Sequence, residues 1–375
     1  MKTLSMSVSL LDVGRVCVCA LAIGLAAAQP RAAIDSVSTA NGRVSGVLGS
    51  TYGVTAYLGI PYAAPPVGER RWRPPQPAPK WEGVKAASAF GTSCMQQQAR
   101  SRLPWTEEYM TQNAVGEDCL SLNVWTPAAR ATAPLAVMVW IYGGGFNEGS
   151  SAVEVYDGAP LASRGVVVVS MNYRTGVLGA LAHPDLSKES PHHVSGNYAL
   201  LDQIAALQWV NCNIAAFGGD PANVTVFGQS AGGLSVGSLM RSPLASGLFV
   251  RAIAMAGPGL IGRNQPGRIG SLADREAAGV KFADAQGATS LAQLRALPAD
   301  TFIAPKVAMG NAAPPVWPFN DGYVLPEADP NGTGLPHWPA YAPEAHQTMR
   351  LGESMAPMPV ADPARRAFHE HRLRQ

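Results

Sequence analysis

Short runs of mostly apolar residues recur along the middle of the chain and predict the strands of a buried sheet. They occupy residues 135–142, 166–171, 224–227 and 250–255. Runs of this length without polar alternation are typical of strands that are covered on both faces. Between them, residues 197–213 place Leu200, Ile204 and Leu207 at helical spacing, which predicts an amphipathic helix. Strands that alternate with helices in this way indicate an α/β fold with a mostly parallel sheet, right-handed crossovers and helices on both faces.

The first part of the chain shows two other patterns. Residues 44–47 and 54–58 are short β-like runs bounded by turn residues, which predicts a small antiparallel meander. Before them, Lys2 and Arg15 precede an apolar stretch over residues 16–28 that ends in consecutive alanines. This stretch is too short for a membrane-spanning helix and is typical of a cleaved secretory signal. We therefore expect a signal peptide at residues 1–28, one domain at residues 29–375, a secreted or periplasmic location and no membrane anchor.

Composition and charge exclude several classes of protein. Hydrophobic residues make up 47% of the chain and charged residues 14%, so the chain has enough apolar material for a thick core and is not intrinsically disordered. The formal net charge is +2 and no basic run is present, which gives no electrostatic reason to expect nucleic acid or an anionic membrane as a partner. No His, Cys, Asp or Glu cluster has metal-ligand spacing and no phosphate or dinucleotide fingerprint occurs, so no cofactor is expected.

A candidate nucleophile follows one of the predicted strands. Residues 224–233 run from a strand through Gly228, Ser230 and Gly232 into a predicted helix. In a sharp strand-to-helix turn, small neighbours avoid clashes and the serine hydroxyl stands above the sheet. A second Gly-x-Ser-x-Gly match surrounds Ser235, but that serine lies inside the predicted helix and no strand leads into it. The context therefore favours Ser230 as a nucleophile over a structural serine at a tight turn.

A glycine triplet follows another predicted strand. Residues 143–145 come directly after the strand that ends at Tyr142, where bare backbone N–H groups can approach a substrate. A nucleophilic serine needs such donors for the oxyanion that forms when it attacks a carbonyl. Alone, the triplet is equally consistent with a plain glycine turn. Together with the serine turn, it is the arrangement found in α/β-hydrolases.

The chain resembles the type-B carboxylesterase family, which includes the cholinesterases, in six segments. These are residues 59–75, 117–127, 140–146, 172–176, 196–210 and 217–233. The resemblance implies a serine hydrolase of small-molecule carboxylic esters, with Ser230 as nucleophile. It also implies an oxyanion hole made by Gly144, Gly145 and Ala231, a disulfide between Cys94 and Cys119, and structural ion pairs joining Arg71 to Glu117 and Arg174 to Asp202. Cys212 is expected to remain a free thiol on a helix.

The resemblance is incomplete beyond the nucleophile. In this fold the catalytic acid and histidine follow the serine along the chain. Here residues 318–326 and 329–341 resemble family segments that lie before and after the stretch carrying both groups, so we expect an internal truncation near residues 326–329. The C-terminal strands of the sheet are expected to be missing with it. The histidines that follow Ser230 do not lie after a strand as the family's catalytic histidine does: His337, His346, His369 and His371.

Three interpretations remain open. The first is an exported esterase that keeps its nucleophile and oxyanion hole but turns over slowly because its acid and base are missing. The second is a non-catalytic binding or adhesion protein, as some cholinesterase-like proteins are, although such proteins typically lose the serine that this chain keeps. The third is an inactive remnant that does not fold stably. In each case the last predicted strand becomes a sheet edge, through which we expect the chain to self-associate.

Overall fold

Helices pack on the two faces of a seven-stranded sheet. The computed structural model describes residues 36–127, 131–257, 270–303 and 313–326. The strands within these ranges are β1 (Val37–Thr39), β2 (Gly42–Ser45), β3 (Val47–Leu48), β4 (Thr55–Pro61), β5 (Val84–Ala86), β6 (Ser93–Cys94), β7 (Val115–Gly116), β8 (Ser121–Thr126), β9 (Leu135–Ile141), β10 (Val167–Met171), β11 (Gly219–Gln229) and β12 (Arg251–Met255). The α-helices are α1 (Ala159–Ala162), α2 (Gly176–Ala180), α3 (Pro184–Glu189), α4 (Tyr198–Asn213), α5 (Ala231–Arg241), α6 (Leu272–Ala285) and α7 (Leu291–Ala296). Short 3₁₀ helices occupy Gly68–Arg70, Glu107–Tyr109, Glu154–Tyr156, Ile214–Phe217, Pro243–Ala245 and Ala299–Phe302.

The seven strands of the main sheet follow the order β12-β11-β9-β10-β8-β4-β3. Strands β9 to β12 pair in parallel, whereas β8, β4 and β3 pair antiparallel along the other half. The four apolar runs of the sequence thus become β9, β10, β11 and β12, and the predicted α/β fold is confirmed. Strand β11 starts at Gly219, before its apolar run, and its register against β9 shifts between Gly219 and Val224.

Alternate residues of the central strands point to opposite faces of the sheet. Val167 and Val169 of β10 join the large core cluster that contains α4 and α5. Val168, between them, packs instead with Trp125 and with residues of α1. Because both faces are covered, these strands can be apolar at consecutive positions.

The predicted N-terminal meander is divided between two sheets. Strands β1, β2 and β5 form a separate three-stranded sheet, while β3 and β4 pair antiparallel at the edge of the main sheet. Gly46 connects β2 to β3, and a Cβ at this position would lie 2.8 Å from the Ala56 carbonyl oxygen. A close approach of this kind requires glycine, which explains the change of sheet at this point.

Helix α4 buries the apolar positions that predicted it, Leu200, Ile204 and Leu207, and it is buried around most of its circumference. Its buried residues include the polar Asp202 and Gln203, and its exposed positions are confined to Gln208, Asn211 and Cys212. The helix contacts α2, α5 and β11, which cover it from different sides.

The region after residue 270 forms helices that pack away from β12. Leu291 and Leu294 of α7 and Phe282 of α6 join a second core cluster that contains Trp72 and Leu181. Within the described residues, β12 therefore pairs only with β11 and forms one edge of the main sheet. Its side chains Ile253 and Met255 are 45% and 37% exposed. Among the described helices, none combines the length and hydrophobicity needed to cross a bilayer.

Candidate active site

Ser230 is the single residue between β11 and α5. Its backbone has φ 56° and ψ −119°, a conformation that costs of order 1–3 kcal/mol for a residue other than glycine. Two backbone hydrogen bonds hold it there, because Ser230 N donates to Met255 O at 2.9 Å and Ser230 O accepts from Leu234 N at 2.9 Å. The residue is half-buried, so part of it is exposed to solvent.

The glycines on either side of Ser230 are required by close backbone contacts. A Cβ at Gly228 would lie 2.6 Å from the Gly232 carbonyl carbon, and a Cβ at Gly232 would lie 2.1 Å from the Ile141 carbonyl oxygen. Any side chain at either position would force the turn away from β9. The second Gly-x-Ser-x-Gly match is different, because Ser235 is fully buried in α5 and its hydroxyl accepts a hydrogen bond from Gln203 Nε2 at 3.1 Å.

Residues 143–149, which we call the glycine turn, follow β9 and lie against Ser230. A Cβ at Gly143 would be 3.1 Å from Ser230 Cβ. Gly144 and Gly145 have φ values of +105° and +63°, which glycine adopts without strain. Within the described residues, the backbone N–H groups of Gly144, Gly145 and Ala231 donate to no protein acceptor. The structure thus leaves three unpaired donors on the two turns that meet at the serine.

A cavity of about 310 Å³ opens beside the glycine turn and includes Gly144 in its wall. Its lining includes the polar residues Gln96, Arg102 and Glu148 and the apolar residues Val177, Phe302 and Val316. Arg102 Nη1 donates to both carboxylate oxygens of Glu148, at 2.7 and 2.9 Å, so these two charges neutralise each other. The cavity offers an apolar volume and hydrogen-bonding groups without a net charge.

None of the described histidines contacts Ser230. His183 caps α3, where its Nδ1 accepts a hydrogen bond from Asp185 N at 3.1 Å, and burial lowers the pKa of its side chain. His192 stacks on Tyr323 with ring centroids 3.7 Å apart, and His193 is exposed. The predicted signal peptide and residues 327–375 lie outside the described residues. The later histidines therefore lie outside them too: His337, His346, His369 and His371. The described ranges also contain no group of three or more His, Cys, Asp or Glu side chains that could hold a metal ion.

The disulfide implied by the family resemblance is present. Cys94 and Cys119 are bonded and close a loop with a sequence separation of 25. Beside it, Arg71 Nε and Nη2 each donate to one carboxylate oxygen of Glu117 at 2.6 Å. Arg71 Nη1 also donates to the carbonyl oxygens of Arg295 and Leu297, which attaches the end of α7 to this region. Cys212 is a free, exposed thiol on α4.

Arg174 and Asp202 form a buried ion pair. Arg174 Nη2 donates to Asp202 Oδ1 at 2.7 Å, and Arg174 Nε donates to Asp202 Oδ2 at 2.8 Å. Burial by itself would lower the pKa of Arg174, but the adjacent Asp202 carboxylate reverses this effect and the pKa is raised. Two residues further on, Gly176 N donates to Phe146 O at 2.6 Å. The ion pair therefore fixes a segment that itself supports the glycine turn.

Three residues in or beside the glycine turn belong to no recognisable motif: Gln96, Arg102 and Glu148. Gln96 follows Cys94 by two positions, and its side chain bonds the backbone of Gly149. Arg102 lies in an exposed loop, and Glu148 lies after the glycine triplet. Each is a polar residue in a segment without hydrophobic periodicity, so only their three-dimensional contacts reveal them.

The fold and the serine turn define an α/β-hydrolase, and related sequences identify its family. The sequence profile described as "Carboxylesterase family" matches residues 34–331, and the chain belongs to this family of ester hydrolases. It is 46% identical over 300 residues to fumonisin B1 esterase from Sphingopyxis macrogoltabida, a match that covers 78% of this chain and 51% of that protein. It is 48% identical over 228 residues to a cholinesterase from Mus musculus, covering 59% of this chain and 36% of that protein. The chain thus spans about half the length of the first relative and about a third of the second.

Proposed function

We propose that the chain is a serine hydrolase of small-molecule carboxylic esters in which Ser230 is the nucleophile. The observation that carries this proposal is the conformation of Ser230, with φ 56° between β11 and α5 and with Gly143 directly beside it. A strained backbone of this kind persists where the surrounding structure enforces it, and such residues cluster at active sites. Membership of the carboxylesterase family supports ester hydrolysis as the reaction.

The reaction proceeds through an acyl-enzyme. Ser230 Oγ adds to the ester carbonyl carbon, and the carbonyl electron pair moves to oxygen, where the N–H groups of Gly144, Gly145 and Ala231 stabilise the oxyanion. Collapse of this intermediate breaks the bond to the alcohol oxygen and releases the alcohol. Water then attacks the acyl-serine, releases the carboxylic acid and restores Ser230. The cavity beside Gly144 would hold the uncharged part of the ester.

The chain turns over slowly because no described group accepts the Ser230 proton. A general base must lie within hydrogen-bond reach of the hydroxyl, and the described histidines are engaged elsewhere or exposed. In the absence of such a base, water takes the proton. Oxyanion stabilisation and substrate binding alone still give about 10³–10⁴-fold acceleration in serine hydrolases that lack a triad residue. Turnover should then fall below the usual enzyme range of about 1–10³ s⁻¹.

We also propose that the mature protein acts outside the reducing cytoplasm. The Cys94–Cys119 disulfide supports this location, because structural disulfides persist in oxidising compartments. The apolar stretch at residues 16–28 would direct the export.

A fluorophosphonate probe tests the nucleophile directly, because stable labelling needs a reactive serine. We expect slow labelling that peptide mass spectrometry assigns to Ser230 and that Ser230→Ala abolishes, with heat-denatured protein as the background control. Labelling no faster than this background would favour the non-catalytic binding protein. Labelling as fast as that of an intact serine hydrolase would show that a base serves Ser230 and that the proposed slow turnover is wrong.

A further inference from the structure

The conformation of the glycine turn is not stabilised by its own residues alone. Gly144, Gly145 and Gly149 all have positive φ values, of +105°, +63° and +118°. Three hydrogen bonds lie within the turn: Gly144 O accepts from Asn147 N and Glu148 N at 3.1 and 3.2 Å, and Asn147 Nδ2 donates to Gly145 O at 3.0 Å. Glycine loses more conformational freedom on ordering than any other residue. A turn with this many glycines needs contacts from outside to keep its free N–H groups in place.

Gln96 supplies such a contact with both ends of its side-chain amide. Its Oε1 accepts a hydrogen bond from Gly149 N at 2.8 Å, and its Nε2 donates to Gly149 O at 2.8 Å. The same Nε2 donates to Cys94 O at 2.9 Å. Gln96 is 3% exposed, so water cannot replace these bonds easily. One side chain therefore satisfies both backbone groups of Gly149, the last residue of the glycine turn.

The segment that carries Gln96 is itself anchored covalently. Cys94 is bonded to Cys119, and β6, which contains Cys94, pairs with β7. Ser93 N also donates to Ala114 O at 2.9 Å. The amide of Gln96 therefore connects a cross-linked loop to the turn beside Ser230.

We propose that Gln96 is a positioning residue for ester hydrolysis, which holds the glycine turn so that Gly144 and Gly145 direct their N–H groups at the oxyanion. This inference rests on the proposed function of those N–H groups. Gln96 also lines the cavity, but its side-chain amide is bonded to the backbone of Gly149 and Cys94, so its effect on the reaction passes through Gly149. Displacing a catalytic group by about 1 Å can cost about 10²-fold in rate, so a loosened turn should slow the reaction more than it weakens substrate binding.

Three variants test the role of Gln96. Gln96→Leu removes all of the hydrogen bonds and keeps a similar volume. Gln96→Glu keeps an acceptor for Gly149 N but, when ionised, places a carboxylate against the carbonyl oxygens of Gly149 and Cys94. Gln98→Leu is the matched control, because Gln98 lies in the same loop, is exposed, and donates only to Asn113 O.

Hydrolysis of p-nitrophenyl butyrate gives the first readout. Gln96→Leu should lower kcat by about 10-fold or more while KM changes by less than about twofold, the pattern of a lost transition-state interaction. The kcat of Gln96→Glu should rise toward the wild-type value as pH falls from about 7 to about 5. A buried carboxyl is readily protonated in this range and can then donate a hydrogen bond as the amide does. Gln98→Leu should behave as wild type. Equal kcat values for wild type and Gln96→Leu would overturn the proposal.

Hydrogen exchange of residues 143–149 gives a second readout that does not depend on activity. The turn should exchange faster in Gln96→Leu than in wild type or Gln98→Leu, while the peptides of β9 and β11 remain protected. Unchanged exchange of the turn would overturn the proposal even if the rate fell. If Ser230→Ala hydrolyses the ester as fast as wild type, the proposed nucleophile is wrong, and the exchange measurement alone then decides whether Gln96 holds the turn.

Discussion

Gly143 lies so close to Ser230 that a Cβ added to the glycine would stand 3.1 Å from the serine Cβ. The contact follows from the sheet, because β9 and β11 are parallel neighbours whose carboxyl ends reach the same edge. The turn after β9 and the turn after β11 therefore meet. Ligand sites in α/β sheets lie outside the carboxyl ends of the strands for this reason.

Gly143→Ala should impair the serine by crowding it. The new Cβ would also lie 2.8 Å from the Gln229 carbonyl oxygen, so the two turns must separate. We expect fluorophosphonate labelling of Ser230 to slow by about 10-fold or more, since small displacements of catalytic groups are costly. Gly116→Ala is the control, because the nearest atom to its Cβ is a Thr92 methyl carbon at 3.1 Å. Equal labelling of the Gly143→Ala and Gly116→Ala variants would show that the contact is not needed.

Removal of the disulfide should destabilise the fold. Replacing Cys94 and Cys119 with serine frees a loop with a sequence separation of 25, and loop-closure entropy predicts a loss of about 3 kcal/mol. Urea unfolding of the double variant and of wild type measures the difference, with Cys212→Ser as the control for an exposed thiol. A Cys94 thiol that reacts with an alkylating reagent before reduction would show that the bond does not form in solution.

Alkaline pH should destabilise the protein through buried tyrosines. Burial raises the pKa of Tyr198 from 10.0 to about 12, because the tyrosinate form is poorly solvated in the core. Between these values the unfolded chain releases the tyrosine proton before the native protein does. The free energy of unfolding is therefore unaffected by Tyr198 below about pH 10 and falls as the pH rises toward about 12. In this pH range each such tyrosine lowers the free energy of unfolding by roughly 1 kcal/mol per pH unit. Urea unfolding across this range should show a shallower decline for Tyr198→Phe, and identical declines would contradict the assignment.

Strand β12 should promote self-association. Its Ile253 side chain is 45% exposed, and its outer edge has no partner strand among the described residues. Unpaired edges of this kind template pairing with another chain, and a charged side chain blocks it. Size-exclusion chromatography with light scattering should show oligomers of the wild type and fewer of Ile253→Lys. Leu48→Lys, on β3 at the opposite edge, should leave association through β12 intact. A sharp wild-type monomer would rule out this edge as an interface.

The sequence predicts the central strands well because their environment is uniform. Val167, Val168 and Val169 are all buried, so their apolar run marks the strand directly. The start of β11 is not predictable in this way, since Asp220, Pro221 and Asn223 show no apolar pattern although they lie within the strand. The division of the N-terminal strands between two sheets also escapes prediction, because it depends on the packing of Gly46 against Ala56.

Some residues of the candidate site can likewise be predicted from the sequence, and others cannot. Ser230 and the glycine turn can be found because backbone constraints demand glycine at fixed positions around them. Gln96 cannot be found in the same way, since its role depends on hydrogen bonds to Gly149, which lies 53 residues away in the chain. The family resemblance predicts the ion pair of Arg174 and Asp202, which local patterns alone do not indicate.

Mass spectrometry of the protein after incubation with p-nitrophenyl butyrate, with p-nitrophenol release followed in parallel, shows whether Ser230 is the nucleophile. We expect a butyryl group on Ser230, none on the Ser230→Ala variant, and turnover below about 1 s⁻¹, because no described group accepts the serine proton. Unmodified Ser230 together with equal rates for wild type and Ser230→Ala would contradict the proposed nucleophile. Turnover in the ordinary enzyme range that Ser230→Ala abolishes would contradict the proposed absence of a base.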